Sequence, residues 1–203
     1  MKGKTTSERV LEIVQQQGVM RPKDLDQFGI PRKYLNWLYH KGALLRVANG
    51  LYALPNAVMS QHQTMIEASK RVPQGVICLL SALLFHQLTT QDPVEVWIAI
   101  GQKSRKPKEE ILPLRVVRFS GLALQEGITE HRIQGADLRV YNAAKTVADC
   151  FKFRNKIGLD VAVEALRDCL RDRKCSIDEL WYFARVCRVA NIMKPYMEAI
   201  VSD

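Results

Sequence analysis

Residues 18–55 read GVMRPKDLDQFGIPRKYLNWLYHKGALLRVANGLYALP, and the hydrophobic period changes within them. Arg21-Pro22 opens a short helical segment that ends at Phe28, with Gly29 as its stop. Pro31, whose fixed φ suits a first helical position, starts another segment that runs through Leu35 and Leu38 to Gly42. The period then drops to two. Leu45–Ala48 and Leu51–Leu54 are strand-like runs separated by Asn49-Gly50, the preferred central pair of a two-residue type I′ hairpin because both positions require positive φ. Upstream, from Thr5 to Gln17, the apolar residues Val10, Leu11, Ile13 and Val14 recur at helical spacing, with Thr6 or Ser7 available as cap and Gly18 as stop.

Three helices followed by a hairpin is the order of a winged helix-turn-helix, in which the third helix enters the DNA major groove and the hairpin touches the adjacent backbone. Pro55-Asn56 marks the expected boundary, giving a winged helix-turn-helix DNA-binding domain over 1–55 and a larger α+β domain over 56–203. The charge distribution agrees. The 203-residue chain carries 30 Lys plus Arg against 21 Asp plus Glu, a net +9, and residues 1–55 alone contribute nine basic residues against four acids. An excess of cations favours a polyanionic partner through counterion release and steering.

The larger part has helical signals over 57–71 and 76–88, then strand signals at Val94–Ile100, Leu114–Phe119, Ile128–Ile133 and Leu138–Val140. After Asn142 the period is helical again. Ala144, Val147, Ala148 and Phe151 share one face, Leu159, Val163, Leu166 and Leu170 a second, and Leu180, Phe183, Ala184 and Cys187 a third. Ser176 and Glu179 have capping-box spacing. A last helix over Ile192–Val201 places Pro195 in its first turn, where proline is tolerated. The expected class is α+β: a winged helix-turn-helix, then a small sheet and a C-terminal helical bundle.

Candidate DNA-facing residues follow from this layout. In the third helix Arg32, Lys33, Asn36 and His40 share a polar face without acids, opposite Leu35 and Leu38. Arg and Asn have the bidentate geometry that reads guanine and adenine edges, whereas Lys33 and Lys41 suit phosphate. Arg46 and Asn49 belong to the wing, and Arg21 and Lys23 stand at the start of the second helix, where such domains meet phosphate. Trp37 and Tyr39 are expected to pack against the first helix or the following domain. A second basic cluster, Lys103, Arg105, Lys106 and Lys108, reads as a charged loop that resists edge-to-edge strand association, with a nucleic-acid or partner contact as the alternative.

Several function classes lack their residues. No apolar run approaches the roughly 18–20 residues of a bilayer-spanning helix, and the basic amino terminus has no apolar stretch behind it. A cytoplasmic protein is expected, not a membrane one. Five cysteines without a Cys-x-x-Cys pair read as reduced core residues, and the four histidines are not at metal-ligand spacing, so neither metal nor cofactor is expected. There is no phosphate-binding glycine loop, dinucleotide-binding turn, nucleophile elbow or His-Glu-x-x-His pair. Asp92 and Glu95 resemble half of a magnesium-dependent nuclease site, but Trp97 stands where such a site needs lysine. Cys78 and Cys150 sit among apolar neighbours, and Asp137 and Asp149 are expected in structural ion pairs with Arg139 or Lys145. The expectation is a binding protein rather than an enzyme. The alternatives are a nuclease delivered by its winged helix and a regulator that senses a small molecule.

Three motifs carry a resemblance. They are Gly29-Ile-Pro-Arg-Lys-Tyr-Leu35 with Trp37-Leu38 and Lys41-Gly42-Ala-Leu, the wing Arg46-Val-Ala-Asn-Gly-Leu-Tyr-Ala-Leu-Pro55, and the corner Val140-Tyr-Asn-Ala-Ala-Lys-Thr-Val-Ala-Asp-Cys150. Together they resemble the AbiEi-type antitoxins of type IV toxin–antitoxin and abortive-infection systems. One departure is Lys145, where the family commonly has arginine, which removes the bidentate option there. The resemblance implies that the winged helix binds inverted repeats upstream of its own operon and represses it; because one wing domain reads only a short half-site, two copies are expected on the double-stranded DNA. It implies that the larger domain counteracts a nucleotidyltransferase toxin without a stable complex. It assigns DNA-facing roles to Arg32, Lys33, Asn36, Arg46 and Asn49, and no catalytic role to any residue.

Overall fold

A computed structural model describes residues 5–48, 50–55, 62–105, 107, 113–133 and 136–202. The protein is α+β and forms two compact units. The smaller comprises Met1–Pro73 together with Pro107–Pro113 and His131–Leu138; the larger comprises Gln74–Lys106, Leu114–Glu130 and Arg139–Asp203.

The smaller unit begins with α1 (Thr6–Gln17), capped by Thr5 and not by Thr6 or Ser7. Thr5 Oγ1 accepts from the Glu8 N–H and Glu8 Oε2 from the Thr5 N–H, so the capping box places the start one residue earlier than the apolar pattern suggests. Gly18 (φ 71°) ends the helix and releases the chain into β1 (Val19–Met20). A 3₁₀ helix, Pro22–Phe28, follows and is closed by Gly29 in the left-handed region. The third helix, α2, spans Lys33–His40 rather than starting at Pro31, because Pro31 and Arg32 form a lead-in turn in which the Pro31 carbonyl accepts from the Tyr34 N–H. Its end is a Schellman arrangement: Gly42 (φ 73°) donates to the Tyr39 carbonyl and Ala43 to the Leu38 carbonyl.

The wing is β2 (Leu45–Ala48) and β3 (Leu51–Ala53), antiparallel with Leu45 opposite Ala53 and Ala48 opposite Leu51, and irregular between Arg46 and Ala48. Gly50 has φ 68°, as the tight turn requires, while Asn49 lies outside the described residues. β1 pairs with β3, completing a three-stranded sheet in the order β1-β3-β2. Val10, Val14, Met20, Leu25, Leu35 and Leu38 are fully or almost fully buried in one cluster beneath the helices. The unit continues past Pro55, the expected boundary, into α3 (Gln63–Arg71), because Ile66 is buried with Val19, Leu51 and Ala53. The first part of the helix expected over 57–71 lies outside the described residues.

In the larger unit the apolar run 76–88 is not one helix. Val76–Ile77 form β4, Cys78 is extended, Leu79 takes a positive φ of 47°, and only Leu79–Phe85 is helical (α4). β-branched Val76 and Ile77 are drawn into pairing with Ala99 and Ile98 on one side, and Ile77 with Val140 on the other. β5 (Val96–Gly101) starts later than expected, leaving Val94 90% exposed, and β6 (Leu114–Phe119) runs parallel to it in register. After a short α5 (Leu122–Gln125) come β7 (Ile128–Ile133) and β8 (Ala136–Tyr141), whose His131–Leu138 portion is counted with the smaller unit; β8 is longer at both ends than its sequence signal. The sheet order is β6-β5-β4-β8-β7.

Helices α6 (Ala143–Lys152), α7 (Arg154–Ile157), α8 (Leu159–Arg171), α9 (Ile177–Val186) and α10 (Ala190–Ser202) complete the unit. The Ser176–Glu179 capping box starts α9 as expected. The buried residues of α8 are Val161, Ala162, Ala165, Leu166 and Cys169; of the expected face Leu166 is fully buried, Val163 and Leu170 are partly buried against the same core, and Leu159 is exposed. Pro195 is the sixth residue of α10 rather than a first-turn residue, since the helix begins at Ala190. Cys78, Cys150 and Cys187 are free and buried, but Cys169 and Cys175 form a disulfide, contrary to the expectation of five reduced thiols. The turn after α8 brings their Cα atoms to 6.1 Å, within bridging distance.

Candidate nucleic-acid interface

The outward face of α2 is set by its buried one. Leu35 and Leu38 are 0% and 3% exposed, so the helical spacing leaves Lys33, Asn36, Trp37 and His40 on the exposed side. These four, with Tyr34 and Ser7 of α1, line an open groove of about 580 Å³. Lys33, Asn36 and His40 therefore share a face as the sequence predicts. Trp37 stands at its centre instead of packing inward, with 48% of its surface exposed. Its signal was legible: position 37 is four residues after Lys33 and three before His40. The Lys41 ammonium lies 5.8 Å from the Trp37 ring centroid, and both can present a stacked cation and aromatic edge to a ligand. Tyr39, 37% exposed, leans on His40 and Tyr52, at centroid distances of 5.2 and 6.0 Å.

Arg32 departs from the acid-free face expected for it. It is the residue preceding the helix, and its guanidinium makes a bidentate contact with Asp26 of the 3₁₀ helix: Nε donates to Oδ1 at 2.9 Å and Nη2 to Oδ2. Both side chains are exposed, at 58% and 45%. The hydrogen bond from Arg32 holds the Asp26 carboxyl below its usual range and, reciprocally, Asp26 raises the guanidinium pKa. The acid arrives from a turn six residues upstream, outside the helical spacing that defined the face. Arg32 is thus oriented by Asp26, and the two together are less cationic than a free arginine.

At the start of the 3₁₀ helix, Lys23 is exposed, whereas Arg21 is half-buried and its pKa is lowered by that burial, with Asp24 opposing the shift. The Arg21 N–H donates to Asp24 Oδ2 at 2.8 Å, and the same carboxylate oxygen lies 3.5 Å from the Lys70 ammonium of α3. Asp24 therefore caps the 3₁₀ helix and anchors α3 within the unit. Lys41 and Arg46 are exposed, the latter on β2 opposite Tyr52. Lys103 and Arg105 of the second basic cluster are exposed, and Lys106 and Lys108 lie outside the described residues.

The features needed for other chemistries are arranged differently. Glu95 is paired with Arg115 at 3.2 Å, and among the described residues no group of three His, Cys, Asp or Glu could hold a metal. Burial pushes the Cys78 and Cys150 thiols well above their ordinary value, the direction opposite to an activated nucleophile. Lys145 and Asp149 form a buried ion pair within α6, as expected of a structural pair, while Asp137 lies 3.9 Å from Arg132. Among the described residues no helix is long and apolar enough to cross a membrane.

The fold is similar to that in the crystal structure of the Rv2827c protein from Mycobacterium tuberculosis, with a TM-score of 0.59 and 16% identity over 90% of this chain and 72% of that one. No curated protein matches the chain. Residues 8–55, which cover most of α1 and all of the 3₁₀ helix, α2 and the wing, match the model of a family described as transcriptional regulators, the AbiEi antitoxins.

Proposed function

We propose that the protein is a DNA-binding transcriptional autorepressor and antitoxin that acts on an inverted-repeat operator upstream of its own genes. Two copies occupy the two half-sites, because one winged helix reads only a short sequence. In the same reading the larger unit counteracts a nucleotidyltransferase toxin without forming a stable complex with it, and the protein works in the cytoplasm with no cofactor and no catalytic step of its own. The observation that carries the DNA-binding part is the exposed Lys33–Asn36–Trp37–His40 face, presented on a helix whose opposite side is locked into the core. Asn36 offers a bidentate group for an adenine edge, and Lys33, Lys41 and Lys23 serve as phosphate contacts. Arg46 supplies the wing. The antitoxin part is supported by the family match over residues 8–55.

Two measurements test the parts separately. The Arg32→Ala/Lys33→Ala protein, titrated against a duplex from the upstream region, should lose at least about tenfold in affinity while its thermal melt is unchanged. Each lost phosphate contact should also reduce the slope of log K against log salt by roughly one unit. Full affinity in that variant would refute the recognition-helix assignment. The same variant should still restore growth to cells expressing a nucleotidyltransferase encoded beside it, and failure of the parent protein to do so would refute the antitoxin reading.

A further inference from the structure

The larger unit contains a cavity of about 560 Å³ that the winged-helix reading does not use. It is lined by Trp97 of β5, by the edge strand β6 from Arg115 to Arg118, and by Phe153 and Lys156 at the corner between α6 and α7. Three of these residues are cations, all with exposed side chains, and among the described residues no carboxylate lines the cavity. Each cation is held in place. The Arg115 guanidinium lies 5.3 Å from the Trp97 ring centroid, and its Nε is 3.2 Å from Glu95, which stands outside the lining. Arg118 Nη1 shares its two hydrogens among the carbonyls of Gly101, Gln102 and Ser104 at 3.0, 2.6 and 3.0 Å, which tethers that end of the guanidinium. The Lys156 ammonium is 5.7 Å from the Phe153 ring, whose stacking on Phe119 at 5.6 Å sets that wall.

We propose that this cavity binds a mononucleotide, with its phosphates against Arg118 and Lys156 and its base on the Arg115–Trp97 stack. The volume falls in the range of roughly 300–1,000 Å³ typical of small-molecule sites. Glu95 already balances Arg115, but Arg118 and Lys156 face a lining without an acid and call for an anion, and the planar fork of arginine matches phosphate oxygens in pairs. A guanidinium 5.3 Å from an indole centroid still has an open face for a heterocycle, as arginine does when it stacks on bases. Because Arg118 and Arg115 are oriented before a ligand arrives, binding costs little further ordering. A bare inorganic anion would leave most of the cavity empty, and the convex surface of a duplex cannot enter a concave pocket.

The proposal does not rest on DNA binding. Calorimetric titration of the full chain with ATP, GTP, CTP, UTP, tripolyphosphate and a short duplex tests it. At least one nucleotide should bind with one-to-one stoichiometry, and the Arg32→Ala/Lys33→Ala protein should bind it equally well. Lys156→Glu and Arg115→Ala should each weaken binding by about tenfold or more, the scale of one charge-assisted contact. Lys194→Ala, at an exposed residue outside the cavity lining, should leave it unchanged. Both cavity variants alter exposed side chains and should melt like the parent, so lost binding is not lost folding. Absence of binding by every nucleotide at millimolar concentration overturns the proposal, as does full binding by Lys156→Glu. Equal affinity for tripolyphosphate, or displacement of the nucleotide by the duplex, overturns it as well.

Discussion

Lys145→Met strands a carboxylate in the core of the larger unit, and its cost can be worked out from the surroundings. The Lys145 and Asp149 side chains are 0% and 1% exposed, and Lys145 Nζ donates to Asp149 Oδ2 one helical turn away. The ammonium lies 4.2 Å from the Tyr141 ring centroid and 4.8 Å from that of Phe119, while Cys187 Sγ donates to Asp149 Oδ1 at 3.2 Å. Methionine is unbranched and one atom shorter, so it keeps most of the side chain and removes the charge. Breaking one half of a buried pair costs ~3–5 kcal/mol, and in a chain of this size each kcal/mol moves the melting temperature by about 2–4 °C. The variant should therefore melt on the order of 10 °C lower.

The pH dependence gives a sharper test. Burial raises the Asp149 carboxyl above its ordinary value and Lys145 pulls it back down, so the variant's carboxyl rises further. A carboxyl whose folded pKa is raised contributes stability that is complete below the unfolded value of about 4 and is lost as pH climbs through the folded value. The deficit of Lys145→Met relative to the parent should accordingly grow from pH 5 towards pH 8, with a limiting slope of about 1.4 kcal/mol per pH unit. Urea denaturation followed by circular dichroism at both pH values measures it. Adding Asp149→Leu should recover most of the loss, because a matched apolar pair leaves no stranded charge. A deficit below about 1 kcal/mol at pH 8, or one independent of pH, would refute the argument that this pair is sequestered from water.

Asp26→Ala removes the acid that holds Arg32. Duplex affinity should rise several-fold, and the salt slope should steepen by up to about one unit in fluorescence anisotropy; no change in either would take Arg32 out of the interface. Trp37→Ala should weaken operator binding several-fold while shifting stability by no more than about 1 kcal/mol, because the ring is half exposed; a thermal melt alongside the binding curve separates the two. Gly127→Ala should destabilise the larger unit by more than about 2 kcal/mol in chemical denaturation, since a Cβ there meets Lys145 Cβ at 2.8 Å and φ is 77°.

The winged helix was legible because each of its elements has a local signature: apolar spacing for α1 and α2, and the Gly18, Gly29, Gly42 and Gly50 breaks between segments. Long-range pairing was not legible. β1 is two residues long, too short to show a period, and exists only because Val19 and Met20 find Ala53 and Tyr52. β4 hid in a continuous apolar run, where periodicity cannot separate a buried strand from a buried helix. In the candidate interface the i, i+3, i+4, i+7 set was readable and included Trp37, which the preference for burying large aromatics obscured. The Asp26–Arg32 contact crosses a turn whose geometry sequence spacing does not fix. The Lys145–Asp149 pairing was open to an i, i+4 reading, but its complete sequestration depends on Tyr141, Phe119 and Cys187 arriving from three other places. The cationic cavity is assembled from β5, β6 and the α6–α7 corner, so no single window of sequence contains it.

The smaller unit is assembled from three separate stretches of chain, with Ala136 buried beside Val19, Leu51 and Ile66. During synthesis its helices and wing leave the ribosome first, yet the apolar patch that Ala136 covers stays open until translation has passed Leu138. Most of the larger unit's strands have emerged by then, so the nascent protein cannot complete one half and afterwards begin the other. A fragment ended at Pro55 would inherit that open patch permanently, together with the surface left by Ile66, and should be sticky in isolation.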